Sequence, residues 1–152
     1  LSTIPPKTYI SVRPKRHSHK ILLEKREFVI NLTPASLIHA ADFCGIYTGA
    51  KVDKFEKCGL HPSSASAVSC PLIAECPLNI ECRVTDVISM GSHDMFIADI
   101  VAVDVDENLI DSHGKLNLKQ AGLAAFAHGE YFELGKKIGN FGFSVKKKKK
   151  RK

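Results

Sequence analysis

Apolar and polar positions alternate clearly at a few places along the chain, and those places suggest its skeleton. Thr8-Tyr-Ile-Ser-Val12 is β-branched and aromatic and predicts a strand. Ile4-Pro5-Pro6 ahead of it reads as an extended lead-in, because a residue before proline is pushed away from helix. Ser18 is placed as the N-cap of a short helix through Ile21, Leu22 and Leu23, with Lys25 and Arg26 at its C-terminal end. Phe28–Leu32 predicts the next strand. Thr33-Pro34 then opens a helix whose inward face is Leu37, Ile38, Ala41 and Cys44, with Gly45 as its stop. A shorter helix is read around Val52–Lys57, and a loop through His61-Pro-Ser-Ser. Ile80, Cys82 and Val84 alternate with Glu81, Arg83 and Thr85, which predicts one buried face and one wet face. Met95–Val105 is apolar on both faces at its centre and suits an inner, doubly covered strand. Gly91-Ser-His-Asp94 joins these two strands as a hairpin. Together the elements predict a β-rich α+β domain with a few short helices, and a barrel rather than an open sheet.

Length and charge refine this picture. With 152 residues and 44% hydrophobic content, the chain is sized for one domain with a real core. Its formal net charge is +6, but the final KKKKKRK contributes +7, leaving residues 1–145 at −1. The expected division is therefore a domain over 1–145 and a basic tail over 146–152. The tail reads as a solubilising terminus or a weak contact for nucleic acid, anionic lipid or an acidic partner. No basic helix or aromatic stripe accompanies it. Five cysteines, at 44, 58, 70, 76 and 82, lack any C-x-x-C spacing and point to reduced thiols in the cytoplasm. No apolar run is long enough to cross a bilayer, and no signal peptide is read. The chain begins at LSTIPPK without Met, which leaves room for sequence upstream of Leu1.

The densest chemistry lies in SVRPKRHSHK (11–20), with four cations, two histidines and two serines in ten residues. A helix N-terminus carries roughly half a positive charge and unpaired amides, so Ser18 with Arg13, Lys15 and Arg16 reads as a phosphate site or as a basic surface turn. His93 sits at a tight connection, where it either caps the turn and bonds Asp94 or serves as a neutral imidazole near a ligand. Lys54 is either a solvated helix lysine or an anion contact, and Phe126 either core or an aromatic face for a ring. Asp104, Asp106, Glu107 and Asp111 lack calcium-loop spacing and read as a solvated turn. No GxGxxG or Walker loop is present.

Beyond single motifs, the ordered blocks PPKTYISVRPKRHSHKIL, EFVINL, AADFCG, VDKF, NIECRV, GSHDMFIADIVAVDVDE, GKL, HGEYFELGKKIG and FGFSV resemble the flavin reductase family of FMN-binding split barrels, in its flavoredoxin-like branch. The resemblance covers Pro5 to about Val145. It implies a split β-barrel, usually a homodimer, with FMN near the subunit interface. It also implies that Ser18 and His19, with Arg13 nearby, meet the flavin phosphate. Lys54 would contact the flavin, where a cation near the pyrimidine side stabilises the anionic reduced ring. His93 would stand beside the flavin, where it can meet the cofactor or the nicotinamide. Phe126 would line the ring site, and Asn31 would supply a polar contact. Family members carry further sequence before the PP motif, including residues that touch the flavin. The implied activity is an FMN-dependent oxidoreductase passing electrons from NAD(P)H or a redox protein. The alternatives are a flavoredoxin-like electron carrier without direct NAD(P)H reaction, and a flavin-free binding module using the basic tail.

Overall fold

The structure is a computed structural model, and it describes residues 1–145. The basic tail at 146–152 lies outside the described residues. Nine strands and three α-helices follow in order: β1 (Ser2–Thr3), β2 (Pro6–Val12), α1 (His17–Lys25), β3 (Glu27–Asn31), α2 (Ile38–Ile46), α3 (Lys54–Cys58), β4 (Pro62–Ser63), β5 (Leu72–Ile73), β6 (Leu78–Ser89), β7 (Asp94–Val105), β8 (Ala124–Ala127) and β9 (Glu130–Glu133). The main sheet is antiparallel, in the order β1-β2-β7-β6-β3. Among the described residues it is an open five-stranded sheet, where closure into a barrel was expected. Two-stranded pairs β4–β5 and β8–β9 stand beside it.

The long β6–β7 hairpin is the spine. Its turn is the predicted one at Gly91–His93, where Gly91 adopts φ 86° and Met90 N–H donates to His93 O at 2.9 Å. The core lies on the sheet face carrying Phe28, Cys82, Val84, Phe96 and Ala98, with Leu22 of α1 packed onto it. β7 holds the central position its apolar run predicts. Past the register shift at Glu81/Cys82, however, its far end is not covered on both sides, and Val101 and Val103 are 37% and 52% exposed.

Several expectations need correction. The helix at 17–25 is capped by Arg16, not Ser18. The backbone turn from Arg13 O to Arg16 N closes early, so the helix starts at His17 and Ser18 becomes its second residue. Thr33-Pro34 precedes a 3₁₀ turn at Ala35–Leu37, and Pro34 is extended and bridges Leu123. Helix α2 therefore starts at Ile38 and runs through Gly45 to Ile46. Its inward residues are only half-buried, because that side faces cavities.

The largest correction concerns the predicted wet face of β6. Glu81 is 0% exposed. Segment 61–76 lies across this face, and the sheet holds it through side-chain acceptors. Glu81 accepts from Ser66 N–H at 2.7 Å, Ser66 Oγ at 2.8 Å, Ala67 N–H at 2.6 Å and Val68 N–H at 2.9 Å. Glu27 accepts from Ser69 N–H and Oγ, each at 2.8 Å, and Arg83 donates to Ala67 O at 2.9 Å. These bonds hold the Glu81 carboxyl down at about 2 even though burial pushes it the other way. Asp104 corrects the reading of a solvated turn. It lies opposite Asn79 on the same face, its buried Oδ2 has no hydrogen-bond partner, and burial, followed by the closeness of the Glu81 carboxylate, raises its carboxyl.

Candidate functional site

Three cavities run along α2. The polar one, of about 300 Å³, is walled on one side by Arg16, His17 and Ser18 at the start of α1. Its other wall comes from the end of α2 and the following turn (Cys44, Tyr47, Thr48) and from Lys54. The lining offers two cations and three hydroxyls and contains no carboxylate. Arg16 caps α1 without a side-chain bond; His19 N–H closes onto Arg16 O at 3.0 Å, and the amides of His17 and Ser18 are left on offer beside these groups. Lys54 is half-buried at the start of α3, and its Nζ donates to Cys44 O at 2.5 Å, which anchors the ammonium at the cavity wall. Asp53 caps α3 by accepting from Glu56 N–H at 3.1 Å, and this sets where Lys54 emerges.

The second cavity, about 190 Å³ and mainly apolar, shares Cys44 with the first and is lined by Asn31, Thr33, Ala41 and Ile73. The third, about 310 Å³, shares Thr33 and Ala41 with the second and adds Phe126 and Tyr131. Tyr131 donates to Asp42 Oδ1 at 2.9 Å, which holds the β8–β9 hairpin against α2 and raises the phenol.

The structure places Ser18 and Lys54 in one cavity lining; of the cations grouped with Ser18 in the phosphate reading, only Arg16 joins them there. The other expected residues are distributed elsewhere. Asn31 lines the second cavity, but its Oδ1 is occupied by Ile73 N–H at 3.0 Å. Phe126 is 66% exposed in the third cavity and packs on Tyr131 at 5.0 Å. His19 is buried: its Nε2 lies 2.7 Å from Asp94 Oδ2 and its ring meets Phe96 edge-on at 5.4 Å. It therefore faces inward from α1, outside the cavity lining, and its bond holds the Asp94 carboxyl below its ordinary range. Arg13 is also outside that lining, and its Nε donates to His93 Nε2 at 3.3 Å. With Nε2 accepting, Nδ1 carries the proton and donates to Ser92 Oγ at 2.9 Å. Asp94 bonds His19, where His93 was the partner considered. Sequence reasoning missed His17, Tyr47 and Thr48 as cavity residues. The Thr48-Gly49 turn ahead of VDKF was the available signal.

Residues 1–135 match the profile of the flavin reductase like domain. The chain belongs to that family. An uncharacterised protein of Archaeoglobus fulgidus is 30% identical over 126 residues, covering 83% of this chain and 71% of the relative. Among solved structures, the flavoredoxin of Desulfovibrio vulgaris (Miyazaki F) is 27% identical with a TM-score of 0.89, covering 96% of this chain and 79% of that one. An FMN-binding protein from Thermus thermophilus, solved with 1-cyclohex-2-enone, is 27% identical with a TM-score of 0.71, covering 88% and 72%. The fold is that of the split-barrel flavin reductase-like proteins, and membership makes this chain a flavin-related oxidoreductase or electron carrier. Among the described residues no helix is long and apolar enough to cross a membrane.

Proposed function

We propose that the chain binds FMN and works as a flavin reductase-like oxidoreductase, receiving electrons from NAD(P)H or a redox protein. The observation that carries this reading is the polar cavity, with Ser18, Arg16 and Lys54 around the start of α1 and no carboxylate in its lining. Those groups fit a phosphate monoester: amides and hydroxyls fix its oxygens and cations neutralise it. Bound flavin supplies the two-electron chemistry, and the protein supplies position and electrostatics. Lys54 holds positive charge at the cavity wall. Tyr47, stacked on Phe43 at 4.4 Å, adds an aromatic ring to the same lining. Asn31 and Phe126 border the neighbouring cavities and extend the surface available to a ring system. Arg13 and His93, paired at the β6–β7 turn, are assigned to electron input beside the cofactor, and His19 to supporting the first turn of α1 from its inward side.

Titration of the protein with FMN and with riboflavin tests this reading. One FMN should bind per chain, and Ser18→Ala should weaken FMN by about tenfold while leaving riboflavin unchanged, since only FMN carries the phosphate. Equal losses for both ligands refute the phosphate assignment. The flavoredoxin-like alternative draws support from the 0.89 TM-score to a flavoredoxin. Steady oxidation of NADH or NADPH with added flavin selects the reductase, and its absence with FMN bound selects the carrier. Exposed Val101 and Val103 on the central strand, together with Phe132 on β9, favour a homodimer, which light scattering checks. A cytoplasmic location accords with five free cysteines.

A further inference from the structure

Cys44 and Cys58 are fourteen residues apart in sequence, yet their Sγ atoms lie 4.0 Å from each other where α2 meets α3. Both are only half-buried. The other three thiols are placed differently. Cys76 and Cys82 are buried, and burial pushes each up to about 11, which keeps them as inert core groups. Burial raises the Cys70 thiol, and the negative charge of nearby Glu27 and Glu81 adds to this. Burial, and then the neighbouring Cys58, raise the Cys44 thiol, with Lys54 acting the other way.

The pair brackets functional ground. Cys44, Gly45, Tyr47, Thr48, Gly49 and Lys54 all line the polar cavity, and all fall within the segment that begins at Cys44 and ends at Cys58. A bond between the two sulfurs would close this segment into a loop. Their separation must shrink by roughly 2 Å to reach disulfide length. That contraction would draw α3 toward α2, at the point where Lys54 Nζ already bonds Cys44 O.

We propose that Cys44 and Cys58 form a redox dithiol whose reversible closure to a disulfide deforms the polar cavity and weakens its hold on flavin. The inference that flavin is the affected ligand rests on the function proposed above. The oxidant is a low-molecular-weight disulfide. One cysteine thiolate attacks a sulfur of that disulfide and releases one small thiol, leaving a mixed disulfide. The second cysteine thiolate then displaces the other small thiol and forms the Cys44–Cys58 bond. Two S–H bonds are lost from the protein, and the two protons leave on the released thiols. The protein gives up two electrons, and the small disulfide takes them. A transient bridge of this kind is the form expected in a reducing compartment.

The full chain, completely reduced and then equilibrated with oxidised glutathione, provides the test. Free thiols are alkylated, the protein is digested without reductant, and the peptides are weighed. A Cys44–Cys58 cross-link is expected, with Cys70, Cys76 and Cys82 alkylated, and dithiothreitol should reverse it. FMN is then titrated into both forms, and the oxidised form should bind on the order of tenfold more weakly. Cys58→Ser should bind FMN as the reduced protein does and lose all response to oxidised glutathione. A peptide map without the 44–58 link, or links scrambled among all five cysteines, overturns the thiol pair. A correct link with FMN affinity unchanged within about twofold overturns the coupling. FMN binding to neither form overturns the flavin reading and the coupling together, while the peptide map still judges the dithiol alone.

Discussion

Glu81 and Lys54 are both charged, and each sits against a neighbouring segment of its own chain, but the two regions around them use polarity in opposite ways. Under segment 61–76, the carboxylate of Glu81 accepts four hydrogen bonds and is fully buried. In the cavity at the start of α1, Arg16, His17 and Ser18 remain exposed, and Lys54 bonds one carbonyl. A polar group saturated by its own backbone is a construction element, costly to remove and of no use to a ligand. A group held in place with donors to spare is one a ligand can use. Charge alone does not separate the two; the number of bonds already made does.

The strongest way to break this contrast is to remove its most saturated member. Glu81→Ala leaves three part-buried amides and a hydroxyl without their acceptor, and should destabilise the fold by roughly 3 kcal/mol or more, read from urea unfolding. A loss below about 1 kcal/mol would show that segment 61–76 is held by other means. On the open side, Lys54→Ala should weaken FMN by about tenfold. Its stability cost should stay near 1 kcal/mol, reflecting one exchanged hydrogen bond. A large stability loss without an affinity loss would move Lys54 into the same class as Glu81.

The smallest expected effect is the sharpest. The Glu81 carboxyl is depressed in the folded state, so its contribution is complete above the ordinary carboxylate range and drains away as pH falls toward about 2. Asp104 is raised, so it costs stability once pH climbs above its ordinary range. Asp104→Asn should therefore stabilise the protein at pH 7 by up to about 1 kcal/mol, since it removes the second negative charge beside Glu81. The gain should shrink on acidification as Asp104 protonates in the parent chain. Stability curves from pH 3 to 7 check both signs.

Much of the sheet was legible because alternation and position coincide. Phe28, Cys82, Val84 and Phe96 read as inward and are inward, and Gly91 marked its turn. Glu81 was misread because alternation reports which face a residue takes, and only tertiary contact reports what covers that face. Its partners are backbone amides of 66–68, which any residue type supplies, so no sequence signal announces them. Ser18 was read into the right neighbourhood but the wrong helical position, because a backbone turn from Arg13 to Arg16 set the start of α1. Cys44 and Cys58 lacked a recognisable spacing for the same reason that Lys54 and Ser18 did: the packing of separate segments unites them.

Helix α2 also borders all three cavities: the polar and apolar ones share Cys44, and the apolar one and the one beside Phe126 share Ala41. In engineering terms this makes residue 41 a single dial for two chambers. A larger side chain there would narrow the apolar compartment beside Asn31 and the one beside Phe126 at once, while the cation-lined chamber next to Ser18 would keep its dimensions. The anchoring end of a ligand and the room given to its remainder could then be adjusted independently on one scaffold.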